Sequence, residues 1–230
     1  MIRLAPEGWP FVLPPLALTG FLALGTALVP DEPRLLQHLL LGATIAFGLL
    51  TGFIVFFFRN PPRVRRDGDG LVLAPADGRI VEIAQGEEND LFAQPATRIS
   101  IFLSIFNVHV QRAPITGRIG LKSYQPGGFA AAWKPKASEE NEQATLGIVA
   151  GDHRIMVRQI AGLVARRIVT DPEQGDLVPQ GSRIGLIRFG SRVDLMVPAG
   201  WDLTCRKGDR VKAGRTAMAR LPKDTDGGGE

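Results

Sequence analysis

Two long apolar runs occupy the first part of the chain, at residues 11–29 and 39–58. The second run is about 20 residues long, enough for a helix to cross a hydrocarbon core of roughly 30 Å at about 1.5 Å per residue. Residues 30–33 read Pro-Asp-Glu-Pro and predict a polar turn between the runs. The pattern therefore predicts an N-terminal hydrophobic helical hairpin. Pro14 and Pro15 move the expected start of the first regular helix to about Leu16, which leaves one span plus a membrane-surface helix as an alternative.

Arginines follow the second run directly, at positions 59, 63, 65 and 66. Such a cluster marks the cytoplasmic side of a membrane segment, so both termini and everything after Asn60 are expected in the cytoplasm. A cleaved signal peptide competes for the first run, but only Arg3 precedes that run and a second run follows it. We expect a membrane anchor at residues 1–66, a second domain at residues 67–222 and a flexible glycine-rich tail at residues 223–230.

From residue 70 onward, short apolar stretches alternate with turns that contain glycine and proline. Residues 71–83 read as strand, turn and strand around Pro-Ala-Asp-Gly at 75–78. A related phrase, Arg-Ala-Pro-Ile-Thr-Gly-Arg-Ile, recurs at 112–119, and Lys-Gly-Asp-Arg-Val-Lys-Ala-Gly follows at 207–214. This spacing predicts a mainly β domain with barrel-like or sandwich-like architecture. The third phrase also resembles biotinyl-type and lipoyl-type hairpins, although no lysine stands at a matching hairpin tip.

A Gly-Ser pair interrupts one of the predicted strands. Val193, Leu195 and Val197 alternate with polar residues and predict a strand with one buried face. Glycine within a strand marks a bulge or a close approach to the backbone. Gly190-Ser191 is therefore open to two interpretations, an ordinary bulge or a peptide bond that the Ser191 hydroxyl attacks.

Composition narrows the functional classes. The net charge is +4 over 230 residues, and six arginines against three acids lie before residue 67, so the excess belongs to the membrane flank. The β domain has no basic patch interleaved with aromatics, which argues against nucleic-acid binding. Cys205 is the single cysteine, so the chain can form no internal disulfide and no thiolate-rich metal site. We expect no metal.

Three further positions carry possible chemistry. His109 lies in residues 99–110, which read as one long strand, and a lone histidine there is either a structural residue or a proton carrier. Arg166 and Arg167 interrupt an apolar stretch and face either water or a phosphate or carboxylate. Residues 137–142 are polar and predict a surface loop.

Three phrases together resemble a known family. They are Phe-Asn-Val-His-Val-Gln-Arg-Ala-Pro at 106–114, Ile-Ala-Gly-Leu-Val-Ala-Arg-Arg-Ile at 160–168 and Arg-Phe-Gly-Ser-Arg-Val-Asp at 188–194. In this order they resemble phosphatidylserine decarboxylase proenzymes of the short bacterial and archaeal type, from about residue 74 to Pro198. The apolar hairpin also fits the short membrane form.

The resemblance implies that the chain cuts itself between Gly190 and Ser191, into a large chain of residues 1–190 and a small chain of residues 191–230 that form a heterodimer. Ser191 becomes a pyruvoyl group that forms a Schiff base with the substrate. Asp77 and His109 complete the implied self-processing set, and Arg166 and Arg167 become candidate ligands of the lipid phosphate. The implied enzyme is a carboxy-lyase that converts phosphatidylserine to phosphatidylethanolamine at the cytoplasmic face of the cell membrane, in phospholipid biosynthesis.

The chemistry explains these residue types. A serine hydroxyl is a weak nucleophile, so a neutral imidazole is expected to take its proton, and Asp77 is expected to orient that imidazole. The long bacterial enzymes carry Leu-Gly-Ser-Thr at the cut and a second histidine three residues after the first. Here the cut reads Phe-Gly-Ser-Arg and the second position is Arg112, which cannot act as a base.

Two alternatives stay open. The first is a membrane-anchored β-barrel binding or carrier module in which Gly190-Ser191 is a bulge. The second is a decarboxylase of a related phosphoserine lipid such as archaetidylserine. Further oligomerisation is also open.

Overall fold

The computed structural model describes residues 3–29, 34–63, 70–87, 95–128, 141–162, 167–188 and 191–222. Contacts divide the chain into two units, Met1–Pro62 and Arg63–Glu230. The first unit contains the apolar runs, and the second contains the β-rich sequence.

Among the described residues, the first unit is a hairpin of two helices. A short 3-10 turn at Pro6–Gly8 leads into α1 (Trp9–Leu28), and α2 spans Arg34–Phe57. Strands β1 (Arg3–Leu4) and β2 (Arg59–Asn60) pair in antiparallel register and close the base of the hairpin. Both helices are long and apolar enough to cross a membrane, by length and composition. The predicted hydrophobic helical hairpin is confirmed.

Helix α1 includes Pro14 and Pro15, so the expectation that it starts near Leu16 is wrong. Proline removes a backbone donor but fixes φ near −65°, a value that the helix also uses. The beginning of α1 contacts the residue that follows α2 at the base of the hairpin, where Phe11 stacks on Phe58 with ring centroids 5.5 Å apart. This tertiary contact keeps the first turns helical, and the local sequence does not reveal it.

The second unit is built from strands. In chain order they are β3 (Leu71–Leu73), β4 (Gly78–Glu87), β5 (Ala96–Leu103), β6 (Val110–Arg112), β7 (Gly117–Gln125), β8 (Gln143–Ala150), β9 (His153–Ala161), β10 (Ile168–Thr170), β11 (Leu177–Val178), β12 (Arg183–Ile187), β13 (Ser191–Pro198), β14 (Arg210–Val211) and β15 (Ala217–Arg220).

Within the described ranges, eight of these strands form one curled sheet in the order β11-β7-β8-β9-β13-β5-β4-β14. A small sheet has the order β10-β12-β6, and β15 pairs with β3. Alternate residues of the large sheet, such as Ile99 and Ile101 of β5 and Val193 and Leu195 of β13, enter the main core. The predicted mainly β, barrel-like architecture is confirmed.

Strand β13 lies between β9 and β5, and each of its residues is buried. Its first residue, Ser191, pairs with Leu103 on one side and with Ala161 on the other. Ser191 is therefore shielded by strands on both sides.

Residues 99–110 do not form one strand, so that expectation is wrong. Strand β5 ends at Leu103, and the Oδ1 atom of Asn107 accepts hydrogen bonds from the amide and hydroxyl of Ser104 at 2.9 and 2.8 Å. A short amide side chain that bonds nearby backbone favours a turn over a continuing strand. His109 consequently lies in the link between β5 of the large sheet and β6 of the small one.

The two related sequence phrases occupy equivalent places in the fold. Leu73 donates its amide to the carbonyl of Pro114 at 2.9 Å, and Arg112, the counterpart of Leu73, donates to the carbonyl of Pro75 at 2.9 Å. Reciprocal contacts of this kind are what a twofold axis produces. The second unit therefore contains an internal pseudo-twofold repeat.

Each phrase also meets an equivalent turn. The amide of Gly208 donates to the carbonyl of Ile80, and the amide of Gly175 donates to the carbonyl of Ile119, both at 2.8 Å. The two halves differ at one position near these turns. Asp77 accepts the amide of Ala213, whereas Thr116 accepts the amide of Gln180.

Candidate active site

Ser191 combines full burial with an unpaired hydroxyl. Its side chain is 0% exposed, and its Oγ atom has no hydrogen-bond partner among the described residues. Leaving a buried polar group unsatisfied costs about 1–3 kcal/mol, so most buried hydroxyls find a partner. The preceding Gly190 lies outside the described residues. A buried hydroxyl that has no hydrogen-bond partner at the start of a strand is better suited to act as a nucleophile than to stabilise the fold.

His109 is buried, and a backbone carbonyl defines its tautomer. Its Nδ1 atom lies 3.0 Å from the carbonyl oxygen of Asn107. Because a carbonyl oxygen can only accept, this hydrogen bond requires the proton on Nδ1 and leaves the lone pair of the neutral ring on Nε2. Nε2 is therefore the basic nitrogen of His109.

A buried glutamine pair connects the two sheets one layer away from Ser191. The Nε2 atom of Gln159 donates to Oε1 of Gln111 at 2.9 Å. Two residues after Gln159 comes Ala161, which pairs with Ser191. Two residues before Gln111 comes His109. A step of two strand residues is about 6.6 Å.

A backbone contact shows that both steps run toward the same end. The carbonyl of His109 accepts the amide of Ile187 at 3.3 Å, and Ile187 is the last residue of β12 before the short link to Ser191. His109 and Ser191 consequently lie at the same end of the interior.

Asp77 has other hydrogen-bond partners. Both of its carboxylate oxygens accept from Nη2 of Arg63, at 2.9 and 2.7 Å, and Oδ1 also accepts the amide of Ala213 at 2.8 Å. Extending the β4–β5 register by one residue sets Gly78 opposite Leu103, so Asp77 lies about 10 Å from Ser191 across two strand spacings. The carboxylate of Asp77 is thus occupied by Arg63 and Ala213, while Nδ1 of His109 is occupied by Asn107.

Arg112, the departure from the long-enzyme pattern, adds a second positive charge near Asp77. Its Nη1 atom donates to the carbonyl of Gly181 at 2.9 Å. Burial and then repulsion from Arg63 lower the pKa of Arg112 from its usual value, while attraction to Asp77 opposes that shift. Two guanidinium groups therefore act on one carboxylate.

Asn141 and Glu142 are buried, so the expected surface loop is wrong at its last two residues. The side-chain Nδ2 atom of Asn141 donates to the carbonyl of Ala161 at 2.6 Å, and Oε1 of Glu142 accepts the backbone amide of Ile168 at 3.3 Å. These residues support the end of β9 that pairs with Ser191. Strand pairing far along the chain buries them, which local polarity does not indicate. Residues 137–140 lie outside the described residues.

Comparison with known proteins identifies the family. Residues 50–219 match the sequence profile of the family described as phosphatidylserine decarboxylase. A Symbiobacterium thermophilum protein named phosphatidylserine decarboxylase proenzyme is 46% identical over 221 residues, 96% of each chain. A Xanthobacter autotrophicus protein of the same name is 42% identical over 232 residues, 98% of this chain and 94% of the relative. The chain belongs to the phosphatidylserine decarboxylase family.

Family membership confirms the resemblance drawn from the three sequence phrases and makes the chain a member of a carboxy-lyase family. The names of both relatives describe them as proenzymes. Within this decarboxylase fold, Ser191 and His109 share one end of the interior, and Asp77 lies two strands away. Gly190 and Arg166 lie outside the described residues. Arg167 is exposed, and its carbonyl accepts the amide of Arg188 at 3.3 Å.

Sequence reasoning missed Arg63 and Asn107 in this decarboxylase. Arg63 stands in the arginine cluster assigned to the membrane flank, yet its side chain is 8% exposed and pairs with Asp77. Asn107 holds His109 through its backbone and the turn through its side chain. No local signal separates Arg63 from its arginine neighbours, whereas the Ser-x-x-Asn spacing at 104–107 is a turn signal that could have been recognised.

Proposed function

We propose that the chain is a self-cleaving proenzyme whose processed form converts phosphatidylserine to phosphatidylethanolamine. The cut between Gly190 and Ser191 would yield a heterodimer of residues 1–190 and 191–230. The observation that carries the proposal is the buried, orphaned Ser191 hydroxyl at the start of β13. The chain also belongs to a family in which its relatives are named proenzymes.

In the cleavage step, His109 Nε2 takes the proton of the Ser191 hydroxyl, and Oγ adds to the carbonyl carbon of Gly190. The peptide C–N bond breaks as the proton passes to the nitrogen, so the amide becomes an ester. Loss of the α-proton of residue 191 then breaks the Cβ–Oγ bond and releases the Gly190 carboxylate. Water replaces the remaining nitrogen, which leaves as ammonia, and residue 191 becomes pyruvoyl.

The surroundings of Ser191 fit a pyruvoyl group at that position. The new chain end would stay in place because residue 191 pairs with Leu103 and Ala161 on both sides. When present, the group accepts the electrons left behind by carbon dioxide. His109 Nε2 would return a proton to the carbon that lost the carboxylate.

Asp77 acts in this proposal as an electrostatic partner of the cleavage step. Its carboxylate borders the cavity that Asn107 also lines, and Asn107 holds His109. The Asp77 carboxylate offsets part of the positive charge of Arg63 and Arg112, and so lowers the repulsion that the imidazolium of His109 would meet when it takes the serine proton.

The apolar helices α1 and α2 support a membrane anchor. Arginines after the second helix support a cytoplasmic catalytic unit, which would meet the head group of its substrate at the inner leaflet.

The test is an intact-mass spectrum of the full chain purified in detergent, paired with carbon dioxide release from carboxyl-labelled phosphatidylserine. We expect two chains, a small chain with a blocked N-terminus, and release of label. Ser191→Ala should give one species at the full 24.9 kDa and no label. Ser191→Cys, which keeps a nucleophile of similar size, should retain some cleavage. Activity in an uncleaved wild-type chain contradicts the proposal.

A further inference from the structure

A cavity of about 480 Å³ opens beside Asp77. Its wall includes Phe102 and Asn107 and three cationic residues, Arg79, Arg210 and Lys212. This volume lies within the usual range for small-molecule sites. It can hold a polar head group but not a pair of acyl chains.

The cavity has an excess of positive charge. Among the described residues of its wall, Asp77 supplies the one carboxylate, and this carboxylate is already paired with Arg63. The side chains of Arg79, Arg210 and Lys212 make no ion pair within the part of the chain that the structure describes.

Arg79 and Arg210 are direct cross-strand partners of β4 and β14. Like charges directly opposite each other on neighbouring strands are destabilising. An anion between them would remove that repulsion.

The pseudo-twofold repeat supplies an internal comparison. In the other half, Arg118 takes the place of Arg79, but its cross-strand partner is Leu177. Pro179 takes the place of Lys212. The extra cations are therefore particular to the half that carries Asp77, and the strand geometry itself does not require them.

We propose that this cavity binds the phosphodiester of the substrate lipid, with Arg79, Arg210 and Lys212 as its cationic ligands. The inference rests on the proposed function. Two guanidinium groups offer planar pairs of donors that match phosphate oxygens, and Lys212 adds a point charge.

The position relative to Ser191 suits this ligand. Ser191 lies opposite Leu103, about 4.5–5.5 Å away between Cα atoms. Leu103 is the last residue of β5, and the next residue, Ser104, lines the cavity. The cavity therefore borders the strand end at which Ser191 pairs. In phosphatidylserine, four bonds separate the amine nitrogen, which must reach residue 191, from the phosphorus. A phosphate bound at the Ser104 side of the cavity would let the serine head group extend past the end of β5 toward residue 191.

The substrate's carboxylate is a poorer ligand for these cations. It must lose its charge as it leaves as carbon dioxide, so a cationic ligand would stabilise the ground state more than the transition state and slow the reaction. The phosphodiester keeps its charge throughout.

The rim of the cavity supports a ligand in a membrane. Ile105 and Phe106 lie between the cavity residues Ser104 and Asn107 and are 40% and 64% exposed. Exposed apolar side chains beside a cationic site are suited to insertion among lipid head groups and acyl chains. The occupant is accordingly a phospholipid at the bilayer surface.

The experiment uses the processed full chain in detergent and the charge-removing variants Arg79→Gln and Arg210→Gln. The matched control is Arg118→Gln, the counterpart of Arg79 in the other half, and Arg167→Gln tests the candidate taken from the sequence. Each is checked first by intact mass. Glycerophosphoserine, which has no acyl chains, then serves as the soluble substrate, with inorganic phosphate as competitor.

We expect normal cleavage in every variant. For Arg79→Gln and Arg210→Gln, KM should rise roughly tenfold or more and kcat should change much less, because a charged hydrogen bond to phosphate is lost. Inorganic phosphate should compete in the wild type and lose potency in both variants. Arg118→Gln and Arg167→Gln should stay near wild type.

The variant Phe106→Ser distinguishes binding of a membrane lipid from binding of a soluble phosphate ester. It should raise KM for phosphatidylserine in vesicles and leave KM for glycerophosphoserine unchanged. If Phe106→Ser and the wild type had equal KM values for phosphatidylserine in vesicles, the membrane part of the proposal would be overturned.

Three results overturn the phosphate site itself. One is a KM for Arg79→Gln and Arg210→Gln that matches Arg118→Gln, the second is a KM rise in Arg167→Gln alone, and the third is failed cleavage in Arg79→Gln or Arg210→Gln. An uncleaved, inactive wild type would instead overturn the proposed function.

Discussion

Replacing Arg63 with methionine leaves the Asp77 carboxylate buried with one hydrogen bond, from the amide of Ala213. The two side chains of the ion pair are 8% and 11% exposed. Breaking a buried pair by removing one partner costs about 3–5 kcal/mol. The lower end applies here because the charge of Arg112 still acts on Asp77. At about 2–4 °C per kcal/mol for a domain of this size, Arg63→Met should lower the Tm by roughly 6–12 °C.

The measurement is thermal unfolding in detergent, followed by intrinsic fluorescence. Every variant carries Ser191→Ala so that all chains have the same covalent state. Arg63→Met with Asp77→Asn should regain most of the lost stability, because neither charge is then buried alone. The matched control is Lys122→Met, whose partner Glu173 is 75% exposed and which should cost less than about 1 kcal/mol.

A loss in Arg63→Met no larger than that in Lys122→Met would refute the reasoning, since it would mean that the pair is not desolvated. The same pair of substitutions in a chain with Ser191 intact separates structure from chemistry. The double variant should be stable but should not cleave. Cleavage at the wild-type rate would remove Asp77 from the self-processing set.

Three further predictions concern the turn, the sheet contact and the thiol. Asn107→Ala removes two hydrogen bonds to Ser104, each worth about 0.5–1.5 kcal/mol. The segment that carries His109 should become less rigid, and self-cleavage followed on gels should slow roughly tenfold. Asn107→Asp keeps the acceptor and should stay closer to wild type. Gly185→Ala would bring a Cβ within 2.2 Å of the Val169 carbonyl, so urea unfolding should show a loss of about 3 kcal/mol or more, and an unchanged midpoint would contradict the strand spacing. Burial raises the pKa of the Cys205 thiol from 9.0 to about 11, so iodoacetamide at pH 8 should react about 100-fold more slowly than with the unfolded chain.

The pH dependence of that thiol has a definite sign. Because its pKa is higher in the folded state, its contribution to stability is present below pH 9 and is lost as the pH rises from 9 toward 11. A denaturation midpoint that rose over this interval in the wild type relative to Cys205→Ala would contradict the burial of the thiol.

The pseudo-twofold repeat explains why related phrases occur in this sequence. Both halves need a glycine at the strand start, since a Cβ at Gly78 would lie 2.2 Å from the carbonyl of Phe102 and one at Gly117 would lie 2.5 Å from the carbonyl of Val149. Asp77 and Thr116 accept equivalent amides. The common frame makes Arg118 and Thr116 natural controls for the half that carries the site.

The sequence by itself determined the features that depend on local pattern. Apolar runs of sufficient length predicted the two helices, turn residues between short apolar stretches predicted the mainly β domain, and three ordered phrases indicated the family. These features are encoded within a few neighbouring residues, and strand alternation around Val193 was enough to place Ser191 at a strand.

Only the tertiary structure decided which distant residues meet. Arg63 belongs by sequence to the membrane flank, yet it pairs with Asp77. Arg79 and Arg210 are far apart in the chain and become neighbours only through the β4–β14 register. His109 takes its tautomer from a carbonyl in a turn that breaks an apparently continuous strand. Sheet register and burial set these contacts, and both depend on pairing between segments whose local patterns carry no information about each other.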